Sequence, residues 1–457
     1  MGQLRCSLDI TVGVSGYLKE EERMNKRAMF GAIVVMLFLG LALQGQHESL
    51  ALGSEISFLH WYPTPSGNIV LCEDFGPTSS EGPEMHSKAT LLTCDKNEEM
   101  PLFDDPGLYV FPSSNQPAII GAARRLIGAV RYQSVGGRRA EGEPAQAWIG
   151  YRFVFDVFDV SNNRASKCFR TELGFGDSTE WWPAYPVRYM PRFKTWVCLG
   201  RHRDVGEKAE TVGASDTRQR KALFISDAGE IISETAVELP DQAVFWGSVV
   251  NEAGDRLALV FVDRGDPWAY RPNATGRIYT CILDMRAPES VPRVSLLCET
   301  RGSDASTCCV SRSGKYLCTL KGDAGSHQLL ASIWALRGQS MVPLVRSVPL
   351  PEEGWSLETK DQRWIVKWAL DSDNLVFTRS DEGETRFIVT DPHLHIERTR
   401  RLRQPLPGYT HVISMGDISY FAETDVAIYN SGRQSQVVRY DFRSGKAEVI
   451  KDITAKR

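Results

Sequence analysis

The stretch NEAGDRLALVFVDR at residues 251–264 and the stretch SRSGKYLCTLKGD at 311–323 carry one phrase twice. Each opens on a polar residue, reaches a glycine three positions later, passes a charged residue and continues as a short apolar strand. A glycine at that place supplies the positive φ that a tight hairpin needs. Gly67 stands in the same way before IVLCEDF. Strands of this kind begin with apolar residues at Ile69, Leu126, Trp196, Leu257, Leu317, Leu375 and Val426, 51 to 70 residues apart. A near-constant period of this size marks a repeat architecture.

The material between the phrases repeats as well. A second strand follows each, as in KATLLTCD, YRFVFDVFDV, KALFISDAG and RIYTCILDMR, and a more polar one comes next, as in EIISETAVEL, VPLVRSVPL and IERTRRL. A further strand leads into the next phrase, as in ISFLHWYP, AVFWGSVVN, STCCVSR and HVISMGDISYF. Each unit then has four strands, A to D from inside to outside, and the phrase is the A–B hairpin turn plus strand B. Small antiparallel sheets with two apolar faces bury them only by stacking on one another. Four strands repeated seven times predict an all-β fold, a seven-bladed β-propeller of four-stranded antiparallel blades, with six or eight blades as the alternatives. It spans residues 52–457, and its first and last blades pack together without sharing a strand.

Residues 1–51 read differently. The run AMFGAIVVMLFLGLAL at 28–43 has no charge, and Lys26 and Arg27 precede it. A basic segment before a short apolar run is a secretory signal, and the small residues Ser49 and Ala51 suit cleavage before Leu52. The run is shorter than the ~20 residues of a membrane span. Met24 is the expected start, which makes residues 1–23 an N-terminal extension and 24–51 the signal peptide. The expected location is periplasmic or secreted, with an uncleaved membrane anchor as the alternative.

The chain has 457 residues, with 53 Lys and Arg against 57 Asp and Glu. A net charge of -4 gives no basic footprint for nucleic acid. Most of the ten cysteines lie inside apolar strands and read as small buried hydrophobes. Cys72 with Cys94, and Cys281 with Cys298, fall on neighbouring strands and are the candidate disulfides.

Ser311-Arg-Ser-Gly314-Lys315-Tyr-Leu317 resembles the Ser-Pro-Asp-Gly-Lys hairpin of TolB-type and WD40-like bacterial propellers, with Arg for Pro and Ser for Asp. The resemblance covers residues 55–457, and the Trp-Asp and Gly-His pairs of eukaryotic WD40 blades are absent. It implies an architecture that mostly binds proteins or scaffolds complexes. Prolyl-oligopeptidase-type enzymes carry a similar propeller with a hydrolase domain attached. The nearest approach to a G-x-S-x-G elbow, Gly354-Trp-Ser356-Leu-Glu358, lacks the last glycine, and no stretch is left over for such a domain.

Other motifs with a mechanism are sparse, and no cofactor is expected. Asp371-Ser-Asp373-Asn374 starts like a calcium loop, but Leu375 falls where an oxygen ligand belongs, so it reads as a hairpin turn. His393 and His395 could begin a zinc site but have no third ligand nearby. Arg398, Arg400, Arg401 and Arg403 read as charges that protect an outer edge strand. Aromatics in long connections are more telling. Trp181 and Trp182 precede the third unit, and Trp268 and Tyr270 lie within the fourth. With Asp263, Arg264 and Asp266 they form the candidate binding surface on the B–C loop face. The expected function is an exported non-catalytic propeller that binds a protein, peptide or envelope glycan. The alternative is a propeller enzyme of lyase or glycosidase type, its residues converging on the central channel.

Overall fold

A computed structural model of the chain describes residues within 57–452, leaving out connecting stretches of which 111–125, 137–148, 201–219, 264–274, 350–363 and 424–435 are the longest. Residues 1–55 make a unit separate from Ile56–Arg457. The signal segment and Met24 lie outside the described residues. None of the described residues forms a helix long and apolar enough to cross a membrane.

Twenty-eight strands are described, and they assemble into seven four-stranded antiparallel sheets. Each sheet is open and uses four consecutive strands in sequence order. The first sheet begins at Ser57–Pro63 and the last ends at Lys446–Asp452, with no strand exchanged between them among the described residues. Strand A of the third sheet (Tyr185–Met190) lies beside strand A of the fourth (Ala243–Val250). The fifth (Cys308–Val310), sixth (Trp364–Trp368) and seventh (Thr410–Met415) follow in order, each beside the last.

The apolar pattern explains the stacking. Strand B of the fourth sheet, Arg256–Asp263, is a continuous apolar run because both of its faces are covered. Leu257, Leu259 and Phe261 join one core with Trp196, Leu199 and Phe224 of the third sheet. Ala258, Val260 and Val262 join another with Leu317 and Trp334 of the fifth. A third core joins Cys318 and Leu320 to Leu375, Phe377 and Ile388 of the sixth. Outer strands such as Ser340–Pro349 are only partly covered or exposed throughout, and their sequences are accordingly mixed.

Strand B opens within one residue of its expected place in the first six sheets. The seventh departs. HVISMGDISYF, expected as one strand, is two, Thr410–Met415 and Ile418–Glu423, and Met415 pairs with Ile418. Gly416 and Asp417, a turn-forming pair by composition, fall between them. Val426, expected to open strand B, lies outside the described residues. Strand A of the third sheet escaped the sequence pattern because Pro186 interrupts it, which is tolerable only on an edge strand.

The proposed Cys281–Cys298 bridge does not form. Both thiols are free. Cys281 pairs with Val294 and Cys298 with Ile278, and a bulge after Ile278 separates them. Cys281 enters the core toward the third sheet, whereas Cys298 packs toward the fifth. The register that does oppose two thiols is Cys309 with Cys318, both free. Cys72 lies in a described strand, but Cys94 is outside the described residues. Burial pushes Cys281 up to about 12 and Cys298 up to about 11, so neither is a thiolate near neutral pH. Of the described thiols, exposed Cys168 is therefore expected to alkylate first in the native protein, with Cys198, Cys281, Cys308, Cys309 and Cys318 reacting only on unfolding. Peptide mapping after a timed alkylation checks this, and native labelling of a buried thiol at the rate of Cys168 would refute it.

Candidate functional site at the inner hairpins

The repeated phrase is a side-chain-capped hairpin. In the fourth sheet Asn251 Oδ1 accepts the backbone N–H groups of Asp255 and Arg256, each at 3.0 Å, and Gly254 takes φ 65°. In the fifth, Ser311 Oγ accepts the Tyr316 N–H at 3.0 Å and Gly314 takes φ 72°. The main-chain bonds match too, with Gly254 N donating to Asn251 O at 3.0 Å and Gly314 N to Ser311 O at 2.8 Å. Ser, Asn and Asp recur here because their short side chains reach backbone donors a few residues on. A version shorter by one residue closes strands C and D of the third and sixth sheets. There Ser226 caps Glu230 at 3.2 Å and Asp391 caps His395 at 2.9 Å, with Gly229 and Leu394 at positive φ. Asp391 thus serves a turn, and its Oδ2 lies 2.9 Å from His395 Nδ1. No group of three His, Cys, Asp or Glu among the described residues is placed to hold a metal.

The A–B hairpins are also tied to one another. Arg192, in the third sheet's turn, donates to Ala253 O of the fourth at 3.1 Å. Val250 N donates to Gly314 O, joining fourth to fifth at 2.7 Å. Ser313 N donates to Asp373 Oδ1, joining fifth to sixth at 2.9 Å. Asp373, in the segment that begins like a calcium loop, thus accepts from the neighbouring sheet. Asp255, in the fourth sheet's turn, is held below the usual carboxylate range by the Asn251 amide and, against the effect of burial, by Arg286, Arg192 and Arg256.

Arg188 crosses this line of contacts. It stands half-buried on the innermost strand of the third sheet, and its Nη1 donates to Ser313 O of the fifth at 3.1 Å. Its guanidinium fills the space that a Cβ on Gly314 would take. Glycine is thus needed at 314 for backbone angle and for room. Burial pulls Arg188 down to about 10, and the Asp373 carboxylate of the sixth sheet works against that. Three sheets therefore send polar groups to one place on the inner side of the stack. The sequence reading missed Arg188, Ser313 and Asp373 as a group. Its one visible signal was an arginine inside the apolar run YPVRYM.

Of the residues chosen from the sequence, only Asp263 is described. It ends strand B of the fourth sheet at the B–C side, opposite Arg277, which lies 3.5 Å from Glu299. Trp181, Trp182, Arg264, Asp266, Trp268 and Tyr270 lie outside the described residues.

No family model and no curated protein matches the chain. Solved structures do. Prolyl oligopeptidase B from Galerina marginata matches with TM-score 0.47 and 10% identity, over 89% of this chain and 53% of its own. The Pyrococcus horikoshii acylaminoacyl peptidase matches with TM-score 0.45 and 11% identity, over 88% of this chain and 53% of its own. The β-propeller domain of the Trilobed protease from Pyrococcus furiosus matches with TM-score 0.43 and 10% identity, over 87% of this chain and 96% of its own. The described strands themselves form an all-β fold of seven four-stranded antiparallel sheets. The chain spans about half the length of the two full peptidase chains. The expectation of a non-catalytic binder is corrected by these neighbours, which are peptidases. They stand nearer the alternative, a propeller enzyme, although none of them is of the lyase or glycosidase type expected there. The likeness is one of fold, and no residue role is carried over from it.

Proposed function

We propose that this propeller belongs to a peptidase-type enzyme and that its interior admits and orients a peptide for hydrolysis. The observation behind the reading is the convergence of Arg188, Ser313 and Asp373 from the third, fifth and sixth sheets. A propeller builds a substrate site in this way, from several blades at once and without a local motif. An extended peptide suits such a site, because it carries donors and acceptors along its length and a charge at each end. The proposal includes a closed ring of seven blades of TolB-type, WD40-like character. The capped hairpin at 311–317 and the assembly of seven sheets from consecutive strands support it. Trp181, Trp182, Asp263, Arg264, Asp266, Trp268 and Tyr270 would stand on the loop face, where peptide enters. Export through the segment at 24–51 is part of the same proposal.

The test incubates the purified chain with a panel of defined peptides, reading binding by fluorescence anisotropy and cleavage by mass spectrometry. Saturable peptide binding is expected. Combined Trp182→Ala and Trp268→Ala substitution should weaken it by about fivefold or more, with little change in melting temperature. A folded chain that neither binds nor cleaves any of the peptides overturns the reading.

A further inference from the structure

We propose that Arg188 is the floor of a carboxylate site on the inner side of the propeller, and that it takes the C-terminal carboxylate of a bound peptide. The proposal rests on the peptide reading above and names the group that is recognised. A guanidinium presents five N–H donors in a planar fork whose geometry matches a carboxylate. Arg188 commits Nη1 to the Ser313 carbonyl. Asp373, whose charge acts on Arg188, spends Oδ1 on the Ser313 N–H, and no ion pair joins it to Arg188 among the described residues.

Three other arginines of this fold meet carboxylates. Arg170 grips both oxygens of Asp156 at 2.7 and 3.0 Å. Arg152 does the same to Glu172 at 3.1 and 2.7 Å, and Arg286 meets Asp255. A half-buried cation is ordinarily paired in this fashion, because burial without a counter-charge is unfavourable. Arg188 instead keeps most of its donors uncommitted among the described residues, on the innermost strand, with its guanidinium in the space that Gly314 leaves for it. Burial lowers its proton affinity against the opposing Asp373 charge, and a value near 10 leaves it cationic at neutral pH.

The position favours a chain end over a side chain. Arg188 and Ser313 link the third sheet to the fifth at the hairpin end of the inner strands. Strand B of the fourth sheet ends at Asp263, at the other end from its A–B hairpin. A peptide that enters from the loop face meets the guanidinium end-on, with its terminal carboxylate leading.

The experiment compares one peptide as free acid, the same peptide amidated at its C-terminus, and an amidated version with an internal Asp. Wild type should bind the free acid about tenfold or more tighter than the plain amide. Arg188→Met should equalise the two. Gly314→Ala should do likewise with Arg188 still present, because the new Cβ displaces the guanidinium. Asp373→Asn keeps an acceptor for Ser313 N–H but removes the competing charge, so it should tighten free-acid binding by about threefold or more. Melting curves separate these effects from unfolding. If Arg188→Met fails to fold, the Asp373→Asn result decides, and unchanged or weaker free-acid binding overturns the proposal. Equal binding of acid and amide by wild type overturns it while leaving the peptide reading intact. Failure of every peptide to bind removes both. An internal-Asp amide that binds as tightly as the free acid overturns the C-terminal assignment.

Discussion

Replacing Asp156 by Ala is expected to destabilise the protein by about 3 to 5 kcal/mol, the range for breaking a buried charge pair from one side. Asp156 lies on strand C of the second sheet, Ile149–Asp159, and its side chain is fully buried. Three cations surround it. Arg170 makes the two-pronged contact, Lys167 Nζ lies 3.7 Å away, and Arg131 Nε lies 3.9 Å away. Arg131 is itself only 5% exposed. Without the carboxylate, Arg131 would remain buried beside two like charges and could not reach water. Lys167 and Arg170, which are 35% and 42% exposed, can relax outward, so most of the loss belongs to Arg131. Asp156→Asn should lose less, because an acceptor stays in place. Arg131→Met should recover part of the Asp156→Ala loss, and the double-mutant coupling measures how much. Urea unfolding with an unchanged slope reads the difference, and a loss within about 1 kcal/mol would show that the cluster is better solvated than its burial indicates.

Asp156 also marks the boundary of what sequence reading could reach. FVFDVFD shows a carboxylate inside an apolar strand, a visible anomaly, but its cations come from the two neighbouring strands. The period of the B strands was legible because its cause is local. A capping Asn or Ser, a glycine at positive φ and a run buried on both faces all sit within about a dozen consecutive residues. The seventh sheet was misread for the same reason in reverse. HVISMGDISYF is apolar enough to pass for one strand, and only a Gly-Asp pair in the sequence separates its two halves. The Cys281–Cys298 pairing failed because the bulge at Ile278 shifts the register, which strand alternation alone cannot reveal. Arg188 was out of reach because Ser313 lies 125 residues away. Only stacking of the sheets brings the two together.

Trp196→Ala is the second large expected loss, about 3 to 5 kcal/mol, the usual range for deleting a buried tryptophan. Trp196 is fully buried between the second and third sheets. Its ring meets Phe155 edge-on with centroids 5.4 Å apart and lies 4.8 Å from Tyr189. Gly128 makes that approach possible, since a Cβ there would fall 2.8 Å from both Phe155 and Trp196. Truncation to Ala therefore opens a cavity lined by rings that the sheet backbones hold apart. The indole contributes bulk and little else, because Trp196 Nε1 has no hydrogen-bond partner among the described residues. A buried donor left unmet is itself unfavourable. Trp196→Phe, which removes that donor along with some volume, should thus lose no more than about 1.5 kcal/mol, as conservative hydrophobic swaps do. Gly128→Ala should cost about 1 to 3 kcal/mol in wild type through overcrowding, and less in the Trp196→Ala background, where one of the two crowding rings is gone. Denaturant unfolding of the four variants tests the set. If Trp196→Phe is as damaging as Trp196→Ala, the indole N–H is satisfied in the folded protein. If Gly128→Ala costs the same in both backgrounds, the two sheets do not meet over that glycine as described.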